Sequence, residues 1–168
     1  NNINRENFII TSSKGLVTES LITHLITLIG LFSRRLDIFF KNQTKALTRD
    51  DYDVYFSELK NFSELNILIL GLGEIGKKLA KKLSYLGCNI DSVSRSRKNN
   101  KYIRNQYNFQ DFGNGLNKYD YVISLLPENE KTFKIINYEF LKLLSKDTTF
   151  INLGRGKTVD ENDLIKAL

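Results

Sequence analysis

The amino-acid sequence predicts an α/β fold: a doubly wound parallel sheet with helices on both faces. Three observations predict it. The stretch Asn66-Ile-Leu-Ile-Leu-Gly-Leu-Gly-Glu-Ile-Gly-Lys-Lys-Leu-Ala80 reads as an apolar strand, a glycine turn and the start of a helix. Further short apolar segments follow at Asn89–Ser94, Tyr119–Leu126 and Thr148–Leu153, with helix-forming sequence between them. Their apolar residues do not alternate with polar ones, as befits strands covered on both faces.

Phe8-Ile-Ile10 suits a short strand. Residues 18–40 read as one long helix, because Leu21, Leu25, Leu28, Ile29, Phe32, Leu36 and Phe39 recur at helical spacing, with Arg34 and Arg35 on the polar side. Residues 41–65 are polar with scattered aromatics (Tyr52, Tyr55, Phe56, Phe62) and read as a connection of loose structure. Strand Ile67–Leu70 then leads into helix Glu74–Leu86. That helix buries Ile75, Leu79, Leu83 and Leu86 and sets Lys77, Lys78, Lys81 and Lys82 largely on the solvent side. Gly87 closes the helix. Residues 99–118 are polar and loop-like. Pro127, the only proline, stops the strand at Tyr119–Leu126, and helical segments follow near Glu130–Ile136 and Tyr138–Leu144. Asp160 can cap a last helix over Glu161–Leu168.

Composition narrows the function. A chain of 168 residues suits one domain, or one and part of another. The net charge of +6 is spread, with no run of five like charges, so a nucleic-acid partner is not expected. Cys88 is the only cysteine, which precludes an intrachain disulfide and points to a reducing, cytoplasmic compartment. His24 is the only histidine, so no His/Cys metal cluster can form, and it reads as a packed or interface residue. No apolar run reaches membrane-spanning length and nothing resembles a cleaved signal peptide. The sequence lacks Met altogether and stops inside a predicted helix, so a fragment missing residues at both ends is expected.

The chemistry is carried by Gly71, Gly73 and Gly76, in the G-x-G-x-x-G spacing of a Rossmann-type dinucleotide site. The first glycine permits the turn, the second lets backbone approach a pyrophosphate, and the third lets the helix pack on the strand. Amides of Gly73, Glu74, Ile75 and Gly76 at the helix start would face the anion. The Glu74 side chain must then point away from the phosphates. At the end of the second strand an acid selects NAD, whereas a basic residue accepts the 2′-phosphate of NADP. The sequence there is Ser94-Arg95-Ser96-Arg97-Lys98, without an acid. An arginine about 4 Å from a phosphate charge gains roughly 4 kcal/mol at an effective dielectric of about 20, less when exposed. NADP(H) is therefore expected, with NAD(H) as the alternative.

Several blocks occur in one order: Gly71-Leu-Gly-Glu-Ile-Gly76, Ser94-Arg-Ser-Arg-Lys98, Leu125-Leu-Pro127 with Thr132, and Asn152-Leu153-Gly154-Arg155-Gly156 followed by Val159-Asp-Glu-Asn-Asp-Leu164. On these blocks residues 66–168 resemble the NAD(P)-binding domain of the D-isomer-specific 2-hydroxyacid dehydrogenases, most like the glyoxylate/hydroxypyruvate reductase branch. The likeness implies that Arg155 contacts the substrate, that Leu126 and Pro127 wall the cofactor, and that Thr132, Leu153 and Gly154 belong to the same site. It implies residues 11–168 as the NAD(P)-binding domain, truncated at its C-terminus, and residues 1–10 as a remnant of the substrate domain. The parent protein would be a homodimer that reduces a small 2-keto acid. The family's acid–base histidine and its partner glutamate lie beyond the matched blocks, so this stretch alone would bind cofactor without useful turnover. A non-catalytic NAD(P)-sensing or corepressor-like module, and another 2-hydroxyacid dehydrogenase branch, are the competing readings.

Overall fold

A computed structural model describes residues 15–41, 48–95, 100–109 and 115–168, with backbone only at Val54. The strand expected at Phe8–Ile10 and the domain remnant over residues 1–10 lie outside them. Five strands form one parallel sheet: β1 (Asn66–Leu70), β2 (Asn89–Val93), β3 (Asn105–Tyr107), β4 (Tyr121–Ser124) and β5 (Thr149–Asn152). Their order is β3-β2-β1-β4-β5, so the chain winds outward in both directions from β1. Register aligns Leu70 with Val93 on one side and with Ser124 on the other, and Ser124 with Asn152. The carboxyl ends of four strands thereby finish at one level.

The pleat of β1 splits the core. Ile67 and Ile69 face one side with Ile90, Tyr121 and Ile123, while Leu68 and Leu70 face the other with Val93 and Val122. On the first side lie α1 (Thr18–Ser33) and α4 (Glu74–Tyr85), which pack on each other. Helix α1 buries Ile22, Leu25 and Ile29 at helical spacing, and α4 buries Leu79, Ala80 and Leu83, whereas Leu86, expected in that stripe, is exposed just past the end of α4. Full burial of one such side chain is worth about 1.5–3 kcal/mol, so these stripes rather than helix propensity hold the two helices. On the second side, Leu116, Tyr119, Ile136, Leu141 and Val159 close the core beneath α5 (Tyr138–Leu141) and α6 (Glu161–Ala167).

The observed elements differ from expectation in four places. The helix read over 18–40 breaks at Arg34–Arg35, where Arg35 takes φ 51°, and resumes as α2 (Leu36–Lys41). The Lys60 amide binds the Ser33 carbonyl (3.0 Å) and Arg35 reaches Glu58 (2.9 Å), so a returning segment holds the bend. Residues read as loose contain α3 (Arg49–Ser57), opened by a reciprocal cap between Thr48 and Asp51. The polar stretch after β2 supplies β3. Helix is absent over Glu130–Ile136, because Lys134 at φ 48° ends the turn and Ile136 bridges to Val159 instead.

Candidate functional site

The strand order reverses between β1 and β4, and the loops leaving their carboxyl ends part there. In an open parallel sheet that crevice is where ligands bind. The loop after β1 is built by its glycines. Gly71 has φ 102°, a conformation that strains residues with a side chain. Its amide donates to the Val93 carbonyl (2.8 Å), which places the glycine loop beside the end of β2. A Cβ on Gly71 would stand 3.1 Å from the Leu125 carbonyl oxygen, so the loops after β1 and β4 touch. A Cβ on Gly76 would lie 2.3 Å from the Gly71 oxygen, which shows how closely α4 crosses its own strand.

Gly73 is different. It is the N-cap of α4, no side chain caps that end, and a Cβ there would meet nothing within 4 Å. The first amides of α4 thus open onto space beside a residue without a side chain. This cradle fits the diphosphate of a dinucleotide, and the helix dipole adds to its attraction for an anion. The Glu74 carboxylate is turned toward Lys78 (3.6 Å) and the backbone of Gly15, along the helix rather than over the cradle. Ile75 is half-buried against the α1 side of the core.

Beyond β2, the Ser94 amide donates to the Tyr107 carbonyl (3.0 Å), and Arg95 is exposed at the strand tip. Ser96, Arg97 and Lys98 lie outside the described residues. Sequence reasoning missed the acid on β2. Asp91 is fully buried, level with Leu68 and Asn105, and so sits below the tip. Its carboxylate accepts from Arg104 Nε (3.1 Å) and Nη2 (3.3 Å), the Asn105 amide (3.2 Å) and side chain (3.1 Å), and the Tyr119 hydroxyl (2.8 Å). Burial alone would raise its pKa; the hydrogen bonds from Arg104, Tyr119 and Asn105 and the Arg104 charge outweigh that and hold it below the ordinary value. Asp91 is thus committed to tying β3 to β2. The signal available in the sequence was the one acid in that strand, Asn89-Ile-Asp-Ser-Val93.

The loop after β4 has a buried Leu126, whose side chain lies by Gly71, and an exposed Pro127. Thr132 folds this loop on itself: its hydroxyl donates to the Pro127 carbonyl (2.5 Å) and accepts from the Asn129 amide (3.0 Å). The loop after β5 leans on the same segment, because a Cβ on Gly154 would come 2.5 Å from the Leu126 oxygen. Leu153 packs partly into the core. Asn152 shapes the turn, its side-chain oxygen accepting from the Gly154 amide (3.1 Å) and its nitrogen donating to the Arg155 carbonyl (3.3 Å). Arg155 is exposed, and its guanidinium donates to the Gly154 carbonyl (3.1 Å) rather than to any described carboxylate.

The structure therefore brings Gly71, Gly73, Gly76, Arg95, Leu126, Pro127, Gly154 and Arg155 to one end of the sheet. His24 is exposed on α1, not packed in the chain. Cys88, just before β2, is a buried thiol whose pKa burial pushes up to about 11, which disfavours the reactive thiolate. Among the described residues no group of three His, Cys, Asp or Glu could hold a metal ion, and no helix is long and apolar enough to cross a membrane.

Residues 27–168 match the family model of the D-isomer specific 2-hydroxyacid dehydrogenase NAD binding domain. A glyoxylate reductase of Pyrococcus horikoshii is 37% identical over 117 residues, which cover 70% of this chain and 33% of the relative. The chain thus spans about a third of the length of that curated relative. A D-isomer specific 2-hydroxyacid dehydrogenase of Xanthobacter autotrophicus Py2, solved with NADPH, superposes with a TM-score of 0.78 at 23% identity, over 93% of this chain and 48% of the other. The NAD-complexed enzyme of Lactobacillus delbrueckii ssp. bulgaricus gives 0.78 at 20% identity, over 96% and 48%. These last two likenesses establish the fold.

Proposed function

The chain belongs to the D-isomer specific 2-hydroxyacid dehydrogenase family, and from that premise we propose that the protein reduces a small 2-keto acid, of the glyoxylate or hydroxypyruvate type, with NADPH. The observation that carries this reading is the placement of an exposed, carboxylate-free Arg155 on the same sheet end as the open glycine cradle. Residues 11–168 act as the NAD(P)-binding domain, with residues 1–10 belonging to the substrate domain.

The cofactor, when bound, supplies a hydride to the keto carbon. The rest falls to the chain. The amides at Gly73–Gly76 hold the diphosphate, and Arg95 at the tip of β2 meets the 2′-phosphate together with Ser94, Ser96, Arg97 and Lys98. Pro127, Leu126, Thr132, Leu153 and Gly154 shape the wall between them. Arg155 grips the keto acid through its carboxylate and carbonyl oxygens, orienting it and drawing charge toward the oxygen that becomes the alkoxide. The proton for that oxygen comes from a histidine–glutamate pair, which the family pattern places after the blocks matched here. A reducing, cytoplasmic compartment suits a chain whose one thiol is buried. A homodimer completes the reading, and the exposed rings of Phe39, Phe40, Tyr52 and Phe56 offer apolar surface for it.

Steady-state kinetics on the full-length protein test the proposal. NADPH oxidation with glyoxylate or hydroxypyruvate is expected, and Arg155→Gln should lower kcat/KM by about 100-fold or more, as loss of a transition-state donor does. NADPH binding without turnover of any 2-keto acid would favour the sensor reading. Turnover unaffected by Arg155→Gln would remove Arg155 from the mechanism.

A further inference from the structure

We infer that Thr158 is a positioning residue that fixes Arg155 through the Arg155 carbonyl. This rests on the reading of Arg155 as the residue that holds the keto acid. The carbonyl oxygen of Arg155 receives three donors: the Thr158 hydroxyl at 2.6 Å, the Thr158 amide at 3.1 Å and the Asn152 side chain at 3.3 Å. A carbonyl has two lone pairs, so this oxygen is held from more sides than its own bonding needs. The shortest of the three is the hydroxyl, and Thr158 is fully buried.

The residue that does the holding is itself anchored. The Thr158 carbonyl accepts from the Ile136 amide (3.0 Å), the Lys157 carbonyl from the Lys134 amide (2.9 Å), and Asp160 donates back to Ile136 (2.9 Å). Residues 157–160 are thereby stitched to the segment that follows the Pro127 loop. Arg155 thus has a pinned backbone and an exposed guanidinium. A long side chain loses aim when its backbone rotates, and small misplacement of a positioning group costs rate steeply. Removing the hydroxyl leaves the carbonyl two other donors, so the fold has no orphaned acceptor to expel.

The test is a double-mutant cycle on the full-length protein with NADPH and glyoxylate. Thr158→Val should raise KM for the keto acid by about 10-fold and leave NADPH affinity within about twofold, while Thr158→Ser, which keeps the hydroxyl, should stay close to the parent. In an Arg155→Gln background the same Thr158→Val change should have no further effect on kcat/KM, because groups acting through one another are not additive. If Thr158→Val does not fold, Thr158→Ala takes its place in the cycle. Additive losses, or a lowered Tm with unchanged KM, would show a merely structural threonine and overturn the inference. An Arg155→Gln protein as active as the parent would instead sink the premise, and the inference with it.

Discussion

Gly73 and Gly76 differ in what one methyl group would do, and that difference separates the glycine proposed to face the cofactor from one that packs helix on strand. At Gly76 the methyl would sit 2.3 Å from the Gly71 carbonyl oxygen, a backbone atom that cannot swing aside. Gly76→Ala is expected to destabilise the domain by about 1–3 kcal/mol, the usual cost of overpacking, in a thermal or denaturant melt. At Gly73 the methyl would meet no protein atom, and φ of −71° suits any residue. Gly73→Ala should cost less than about 1 kcal/mol, mostly from a poorer N-cap. It should nevertheless weaken NADPH binding by about 10-fold, since a methyl then stands between backbone and diphosphate. Asp91 ties stability to pH. Its folded pKa lies below the unfolded value despite burial, because Arg104, Tyr119 and Asn105 favour the carboxylate. The stability it contributes is therefore fully present above the unfolded pKa of about 3.9 and is lost as pH falls through the folded value. Asp91→Asn should flatten the acid limb of stability between about pH 5 and pH 2, read by urea unfolding across that range. An unchanged acid limb would show that other carboxylates dominate it.

Helix α3 shows how an element can be written in the sequence and still be overlooked. Its start is signalled by Thr48 and Asp51, three residues apart, each accepting the other's backbone amide. Thr48→Ala should cost about 1 kcal/mol and raise hydrogen exchange in the first turn of α3. Helix α1 rests on its buried stripe instead: Leu25→Ala should cost about 2–5 kcal/mol by urea unfolding, because Leu25 is fully enclosed between α4 and the sheet. The sheet strands at 66–70, 89–93, 121–124 and 149–152, and helices α4 and α6, were legible within a few residues because local pattern and tertiary role agree there. Three features were not. The break after Ser33 is imposed by Lys60 and Glu58, far along the chain, while the apolar spacing runs on unbroken. Strand β3 is Asn-Gln-Tyr, an edge strand fixed by Asp91 from its neighbour rather than by its own apolar content. The residues at 130–136 carry helical letters, but Ile136 is claimed by Val159. Of the residues proposed for the site, the glycines and Arg155 stand in the sequence as a motif, whereas the Asp91 cluster beside them and the Thr158 hydroxyl act through contacts that no spacing encodes.

At the scale of the molecule, two faces of one sheet are covered by different pairs of helices, and the winding from β1 outward leaves its crevice at the carboxyl ends. Everything proposed for function follows from what that crevice binds. The bond from the Gly71 amide to the Val93 carbonyl holds the glycine loop beside the end of β2, the two segments that the proposed cofactor would span. The most direct measurement is a calorimetric titration of NADPH and of NADH into the full-length protein and its Arg95→Asp variant. NADPH is expected to bind the parent more tightly than NADH, and Arg95→Asp to reverse that order. Tighter NADH binding by the parent, with NADPH affinity improved in Arg95→Asp, would contradict this, as would failure of either nucleotide to bind.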